Sequence, residues 1–215
     1  MEPIAVFLCD RTGAMAEPWA EAGIDCYCVD VQHSIRRERV EGHIHFVWGD
    51  ARSWTPPPGR QIIFVAAFPP CTHVAVSGAR DFATKRGMML RDALETFEAC
   101  RQACAWSGAP WMIENPVGVL SSMSHIGKPQ HYFHPWEYAG YLPDIEAENT
   151  TKKTCLWTGG GFIMPQTWPA PEPHRNDVWL APPTDDRADI RSATPRGFAR
   201  AVFDANRPEW LRAAA

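Results

Sequence analysis

Apolar residues in the first half of the chain fall into two alternating textures. Short, largely unbroken runs at Ile4 to Cys9, Ile24 to Val29, Ile44 to Trp48, Gln61 to Ala67 and Trp111 to Ile113 have the length and continuity of strands buried on both faces. Between them lie helical patterns. One surrounds Ala14 to Ala22, with Gly23 where a helix C-cap is expected. The clearest runs from Arg86 to Trp106, where Met89, Ala93, Phe97, Cys100 and Cys104 recur at helical spacing. Strands alternating with helices predict an α/β fold, a parallel sheet with helices on both faces. The connection after the third strand breaks this rhythm: Pro56-Pro57-Pro58-Gly59 replaces an obvious helix.

From about Gly118 the texture changes, and Gly, Pro, His and Trp dominate through Pro183. Strand-like pieces are expected at Tyr132 to Tyr138 and Thr154 to Trp157, and an extended loop at Pro165 to Pro183. Helical spacing returns from Thr194 to Asn206, with Phe198 and Val202 on one side. The expected organisation is a catalytic α/β core over 1–117, a reduced Pro-rich substrate-facing region over 118–190, and a helix over 191–215 that completes the core.

At 215 residues, with 45% hydrophobic and 21% charged residues, the chain suits one domain able to bury a core without staples. A net charge of -4 and a pI of about 6.1 give no overall attraction to nucleic acid, so a surface for one must be a local patch. Seven Cys, an odd number scattered through apolar stretches, suit a reducing cytoplasm better than a disulfide framework. Neither a signal-peptide pattern nor a membrane-length apolar run is visible. A soluble cytoplasmic protein is the expectation.

Ligands of open parallel sheets bind beyond the carboxyl ends of the strands. Four polar signals fall at such ends: Asp10 with Gly13, Asp30, Asp50, and Phe68-Pro69-Pro70-Cys71 paired with Glu114. A Gly turn lets the backbone approach a ligand, an acid after the second strand can accept both ribose hydroxyls, and an acid after the third can meet an adenine amino group. Each alone is as readily a helix N-cap. Together they indicate a nucleoside-containing cofactor, and the lack of Gly-x-Gly-x-x-Gly disfavours a dinucleotide. Two prolines after a buried strand make a rigid extended turn that holds the Cys71 thiol at the sheet's rim; a small cysteine capping the core is the alternative. Glu114, ending the next strand, cannot ionise a thiol but can grip a ring nitrogen and exocyclic amine.

The order of these motifs resembles the DNA cytosine-5 methyltransferases, especially short phage- and prophage-type members. Phe7-Leu8-Cys9-Asp10-Arg11-Thr12-Gly13 looks like a glycine-poor form of the cofactor-binding first motif. Pro69-Pro70-Cys71 matches the nucleophile motif, and Glu114-Asn115-Pro116 resembles the Glu-Asn-Val motif that holds the target base. Lys152-Lys153-Thr154-Cys155-Leu156-Trp157 is similar to the basic strand of phage-type members, and Arg191-Ser192-Ala193-Thr194-Pro195 to the final motif completing the cofactor pocket. The resemblance spans residues 4–206. It implies a Rossmann-like methyltransferase sheet with a small irregular C-terminal part and a final helix packing back, in the cytoplasm of a bacterial host cell. It also implies S-adenosylmethionine held by Asp10, Gly13, Asp30, Asp50, Pro69 and Thr194. Catalysis would fall to Cys71 and Glu114, with Pro70, Asn115, Lys152 and Lys153 on the substrate. Arg80, Lys152 and Lys153 are candidate cations for activating the thiol.

One departure bears on substrate. Larger family members insert a recognition domain between the basic strand and the last motif, where this chain has only the Pro-rich 158–190. Duplex DNA read loosely, single-stranded or partnered DNA, and a free cytosine nucleotide such as dCMP all stay open, as does a decayed nucleic-acid-binding protein. An amino methyltransferase would need an (Asp/Asn)-Pro-Pro-(Tyr/Phe) motif, which Phe68-Pro69-Pro70-Cys71 is not. Cys26-x-Cys28, His43-x-His45 and Cys71-x-His73 have spacing poorly suited to zinc, so no metal is expected. His125, His131, His134 and His174 read as loop residues that are solvated or stacked; Trp136, Trp157, Trp168 and Trp179 either stack on bases or pack the irregular half. Arg36-Arg37-Glu38-Arg39 reads as a solvated face.

Overall fold

A computed structural model of the chain describes residues 1–75, 87–176 and 193–212. It is an α/β structure built on one mixed eight-stranded sheet. The strands are β1 (Pro3–Leu8), β2 (Asp25–Asp30), β3 (Arg39–Glu41), β4 (Ile44–Trp48), β5 (Gln61–Ala67), β6 (Trp111–Pro116), β7 (His131–Phe133) and β8 (Thr154–Gly159). The helices are α1 (Glu17–Glu21), α2 (Gly87–Trp106), α3 (Arg196–Asn206) and α4 (Glu209–Arg212). Strand order is β3-β4-β2-β1-β5-β6-β8-β7. The central five, β4, β2, β1, β5 and β6, are mutually parallel, while β3 and β8 run against their neighbours.

The apolar runs are continuous because both faces are covered. Along β1, Ala5 and Phe7 enter one layer with Trp19 of α1 and Phe198 and Val202 of α3. Ile4, Val6 and Leu8 enter the other, with Ala93, Phe97, Cys100 and Cys104 of α2. Register against β5 slips between Ile4 and Ala5, which face Ile62 and Phe64, so Ile63 is an extra residue. That bulge carries Phe64 into the first layer, stacked on Trp19 with ring centroids 4.6 Å apart.

Several details differ from the sequence reading. The basic run before Ile44 folds back as β3 and pairs with β4; Arg39 lies over the Phe46 ring at 3.7 Å, a cation–π contact that a purely solvated run would lack. The first helix is one short turn-and-a-half, and Met89 stays 44% exposed at the start of α2. Of the strand expected at Tyr132 to Tyr138 only His131–Phe133 forms, because Pro135 starts a 3-10 helix (Pro135–Tyr141). The sheet also continues into the region after Gly118: β7 and β8 extend it, and Phe133 stacks on Phe198 of α3 at 3.9 Å. No helix replaces the Pro-rich connection between β4 and β5.

The chain moves from β1 out through β2 to β4, then crosses back over β1 to β5 and β6. This reversal puts a topological switch point between β1 and β5, where α/β sheets open a crevice at the carboxyl ends of their strands. The carboxyl ends of β1, β2, β4, β5 and β6 share one rim. Because β8 is antiparallel, with Thr154 opposite Pro116, its amino end brings Lys152 and Lys153 to that same rim.

Candidate active site

The rim has two halves. In the first, Cys9 ends β1 with φ 55°, a left-handed conformation that costs a non-glycine residue about 1–2 kcal/mol. This turns the chain so that Asp10 folds over its own loop. Asp10 Oδ1 accepts hydrogen bonds from Thr12 N (3.0 Å), Thr12 Oγ1 (3.2 Å) and Gly13 N (2.8 Å). Gly13 has φ 75°, and a Cβ there would meet the Phe46 ring at 3.0 Å, so both conformation and space require glycine. The Gly13 carbonyl in turn accepts from Ala16 N and Glu17 N at the start of α1.

Asp10 Oδ2 is buried with no hydrogen-bond partner among the described residues. Burial pushes the carboxyl above its ordinary value, the bonds from Gly13 and Thr12 oppose this, and nearby Asp30 adds to the rise. Asp30, also buried, accepts from Gln32 N at 2.7 Å. An orphaned acceptor beside a second acid, above a glycine turn at the switch point, is suited to donors on a ligand: hydroxyls or an amine. His33, which sequence reasoning passed over, braces this half. Its ring nitrogens lie 3.0 Å from the Val47 carbonyl and 3.2 Å from that of Arg11. Asp50 reaches the rim, but Arg52 grips its carboxylate through Nε and a terminal nitrogen (2.6 Å) and continues to Asp92 at 2.6 Å. That pairing holds the Asp50 carboxyl below its ordinary value and commits the group expected to meet adenine.

In the second half, the Pro-Pro turn lies against the end of β6. Asn115 is buried, and its Nδ2 donates to the Pro69 carbonyl at 2.8 Å. The amide therefore ties the Pro-Pro turn to β6, which gives Asn115 a positioning role, while its Oδ1 is buried without a partner among the described residues. Pro70 is exposed and Cys71 half-buried. The Cys71 carbonyl accepts from Val74 N (3.0 Å) and Ala75 N (2.9 Å), closing a single turn behind the thiol residue. Val119 N donates to the Val74 carbonyl at 2.8 Å, and Ala75 bridges Gly118. A Cβ on Gly118 would lie 2.0 Å from Val74 O, so only glycine permits this closeness. Gly118 is a second residue the sequence reading missed; a glycine four residues beyond Glu114 was the available signal. His73, weighed only as half of a metal pair, has a buried Nδ1 without a partner among the described residues.

Glu114, one residue before Asn115, is buried, with Oε1 unpartnered among the described residues. Burial raises its carboxyl above the ordinary value, and Lys152 partly offsets the rise. Burial thus favours the protonated form, which would present both a donor and an acceptor. Lys152 Nζ donates to the Ala193 carbonyl at 3.2 Å, which draws the segment carrying Thr194 to the start of β8. The next residues continue into α3, where Glu148 caps the helix by accepting from Arg196 N and from Gly197 N (2.9 Å). Lys153 lies 5.1 Å over the Tyr132 ring. Arg80, Arg191, Ser192 and Trp179 lie outside the described residues.

The structure brings together Asp10, Gly13 and Asp30 in one half, and Pro69, Cys71, Glu114, Asn115 and Lys152 in the other. No group of three or more His, Cys, Asp or Glu among the described residues could hold a metal ion. Cys26 and Cys28 point into the core, where burial drives both thiols far above their ordinary value. A cleft of about 510 Å³ between α1, α3 and α4, lined by Glu21, Tyr141, Arg200, Phe203 and Arg207, holds none of the rim residues. Among the described residues no helix is long and apolar enough to cross a membrane. No protein-family model matches the chain, and no curated protein matches it in sequence.

Proposed function

We propose that this protein transfers a methyl group from S-adenosylmethionine to carbon 5 of cytosine in DNA, with Cys71 as a covalent nucleophile. One observation supports this most: the Cys71 turn is tied to the end of the strand that carries the buried Glu114 carboxyl. The Asn115–Pro69 hydrogen bond and the Gly118–Val74 approach make the tie. A thiol turn and a buried acid with an open oxygen, carried by neighbouring strand ends of one rim, suit addition to a pyrimidine.

In this reading the Cys71 thiolate adds to ring carbon 6. Glu114, whose burial favours the protonated form, donates to ring nitrogen 3 while its other oxygen accepts from the exocyclic amine. This stabilises the charge that addition pushes into the ring. Carbon 5 then forms its bond to the methyl group. Loss of the carbon 5 proton to a base restores the ring double bond and expels Cys71 as thiolate. S-adenosylmethionine supplies an activated methyl group on a sulfonium. The Asp10–Gly13 turn and Asp30 fit its nucleoside and amino groups, as the orphaned Asp10 Oδ2 indicates. A base within duplex DNA would have to be flipped out to reach Glu114.

The test is incubation with methyl-labelled S-adenosylmethionine and separate duplex DNA, single-stranded DNA and dCMP, followed by nucleoside analysis. Label in 5-methylcytosine is expected from DNA. Label on the exocyclic nitrogen, or none in any substrate, would overturn the proposal; label in dCMP alone would retain the chemistry and change the substrate.

A further inference from the structure

The outer edge of the sheet carries a cluster that the cytosine chemistry does not use. Tyr132 pairs with Cys155 across β7 and β8 and shares the face that Cys155 and Trp157 present to the α2 layer. Lys153, two residues before Cys155, falls on the same face and reaches over the Tyr132 ring. Tyr132 is 47% exposed, with the Lys153 ammonium 5.1 Å from its ring centre. A flat group can therefore lie against the phenol ring with a cation at hand. Beyond Tyr132, His134 lies 6.1 Å from Trp136, which stacks on His174 at 4.1 Å with planes 9° apart. His174 Nδ1 is fixed 2.8 Å from Asn149 Oδ1. The end of β7 is thus a braced aromatic platform.

Its position relative to Glu114 matters. β7 lies two strands from β6, about 10 Å away at ordinary strand spacing. Lys152 interacts with Glu114, whereas Lys153 covers Tyr132, so consecutive lysines at the start of β8 serve opposite faces of the rim. A strand with its target base at Glu114 would cross the start of β8 between these two cations.

We propose that Tyr132 with Lys153 forms a nucleic-acid subsite, in which the nucleotide next to the target cytosine stacks on the Tyr132 ring while Lys153 meets its phosphate. This rests on the cytosine reading above and deepens it, because such a subsite serves a polynucleotide and is useless to dCMP. Stacking on an aromatic face tolerates any base, so the subsite contributes affinity without sequence readout.

Fluorescence anisotropy with a short fluorescein-labelled single-stranded oligonucleotide containing one cytosine tests it on the full-length protein. Tyr132→Ala should weaken binding about 5- to 150-fold, the range for loss of one base–aromatic stack. Tyr132→Phe should bind like the parent, since the ring and not the hydroxyl does the stacking. Lys153→Ala should weaken binding and lower the salt slope by about one. Melting temperature and S-adenosylmethionine affinity should be unchanged in all three. Parent-like binding by Tyr132→Ala, or equal loss in Tyr132→Phe, would overturn the subsite, as would a parent protein that binds no oligonucleotide. Methylation is scored separately. Cys71-dependent methylation that ignores Tyr132 removes only the subsite, whereas Tyr132-dependent binding without any 5-methylcytosine removes only the cytosine reading.

Discussion

Gly118→Ala probes the coupling between the Cys71 turn and the strand that carries Glu114, the proposed nucleophile and base-holding group. The added Cβ would lie 2.0 Å from Val74 O and 2.9 Å from Ala75 Cα, both backbone atoms that cannot rotate away. Ordinary contact begins at 3.4 Å, so one loop must retreat by about 1.4 Å (3.4 minus 2.0). Gly118 itself has φ −170°, an extended conformation open to alanine, so the effect is purely steric. The retreat would stretch the 2.8 Å Val119–Val74 hydrogen bond and overpack the interface, at a cost of about 1–3 kcal/mol. Because Val74 and Ala75 both donate to the Cys71 carbonyl, the proposed nucleophile moves with them. Misplacement by about 1 Å costs on the order of a hundredfold in rate. Urea denaturation and single-turnover methyl transfer should therefore show a modest stability loss beside a far larger loss of rate, with cofactor affinity intact. A variant with parent-like turnover would refute the coupling.

Asp30→Ala should weaken S-adenosylmethionine binding by about 1.5–3 kcal/mol, the loss for hydrogen bonds to a charged group, as read by calorimetry; unchanged affinity would mean the ribose is held elsewhere. Asn115→Leu removes the donor to the Pro69 carbonyl and should cost about 1–3 kcal/mol of stability together with activity. Equal stability and turnover would show that the buried bond positions nothing. Glu114→Gln makes a pH-dependent prediction. The native carboxyl holds its proton more tightly than the unfolded one, so its contribution is fully present below the unfolded value and is lost as pH rises through the folded value. Within that window one such group lowers stability by about 1.4 kcal/mol per pH unit. The variant should show a shallower decline on the alkaline side of the unfolded value while losing activity, and an identical pH profile would contradict a buried, proton-holding Glu114.

The parts of the fold most legible in the sequence were those governed by burial on two faces. Ile4 to Leu8, Asp25 to Asp30 and Gln61 to Ala67 form strands because continuous apolar runs have nowhere else to go, and Phe97, Cys100 and Cys104 mark the buried stripe of α2. The rim positions of Asp10, Asp30, Cys71 and Glu114 followed from where those strands end. What escaped depended on long-range geometry. β3 is wholly exposed and carries no apolar signal; its pairing with β4 arises from tertiary hydrogen bonds. Gly118 matters only because Val74 happens to approach it, and Arg52 claims Asp50 through a local ion pair that a strand-ending acid does not announce. Asn115 was expected on the substrate with its neighbour Glu114; its side chain lies on the other face of β6 from Glu114 and its Nδ2 turns to Pro69, a tie that no local pattern announces.

Covalent trapping is the most direct test of Cys71 as the nucleophile. DNA containing 5-fluorocytosine, incubated with the protein and S-adenosylmethionine, blocks the final step because carbon 5 carries fluorine in place of a removable proton. A denaturation-resistant adduct should form, peptide mapping should place the DNA on Cys71, and Cys71→Ser should form none. Adduct formation by Cys71→Ser, or attachment at another cysteine such as Cys9 or Cys155, would contradict the assignment.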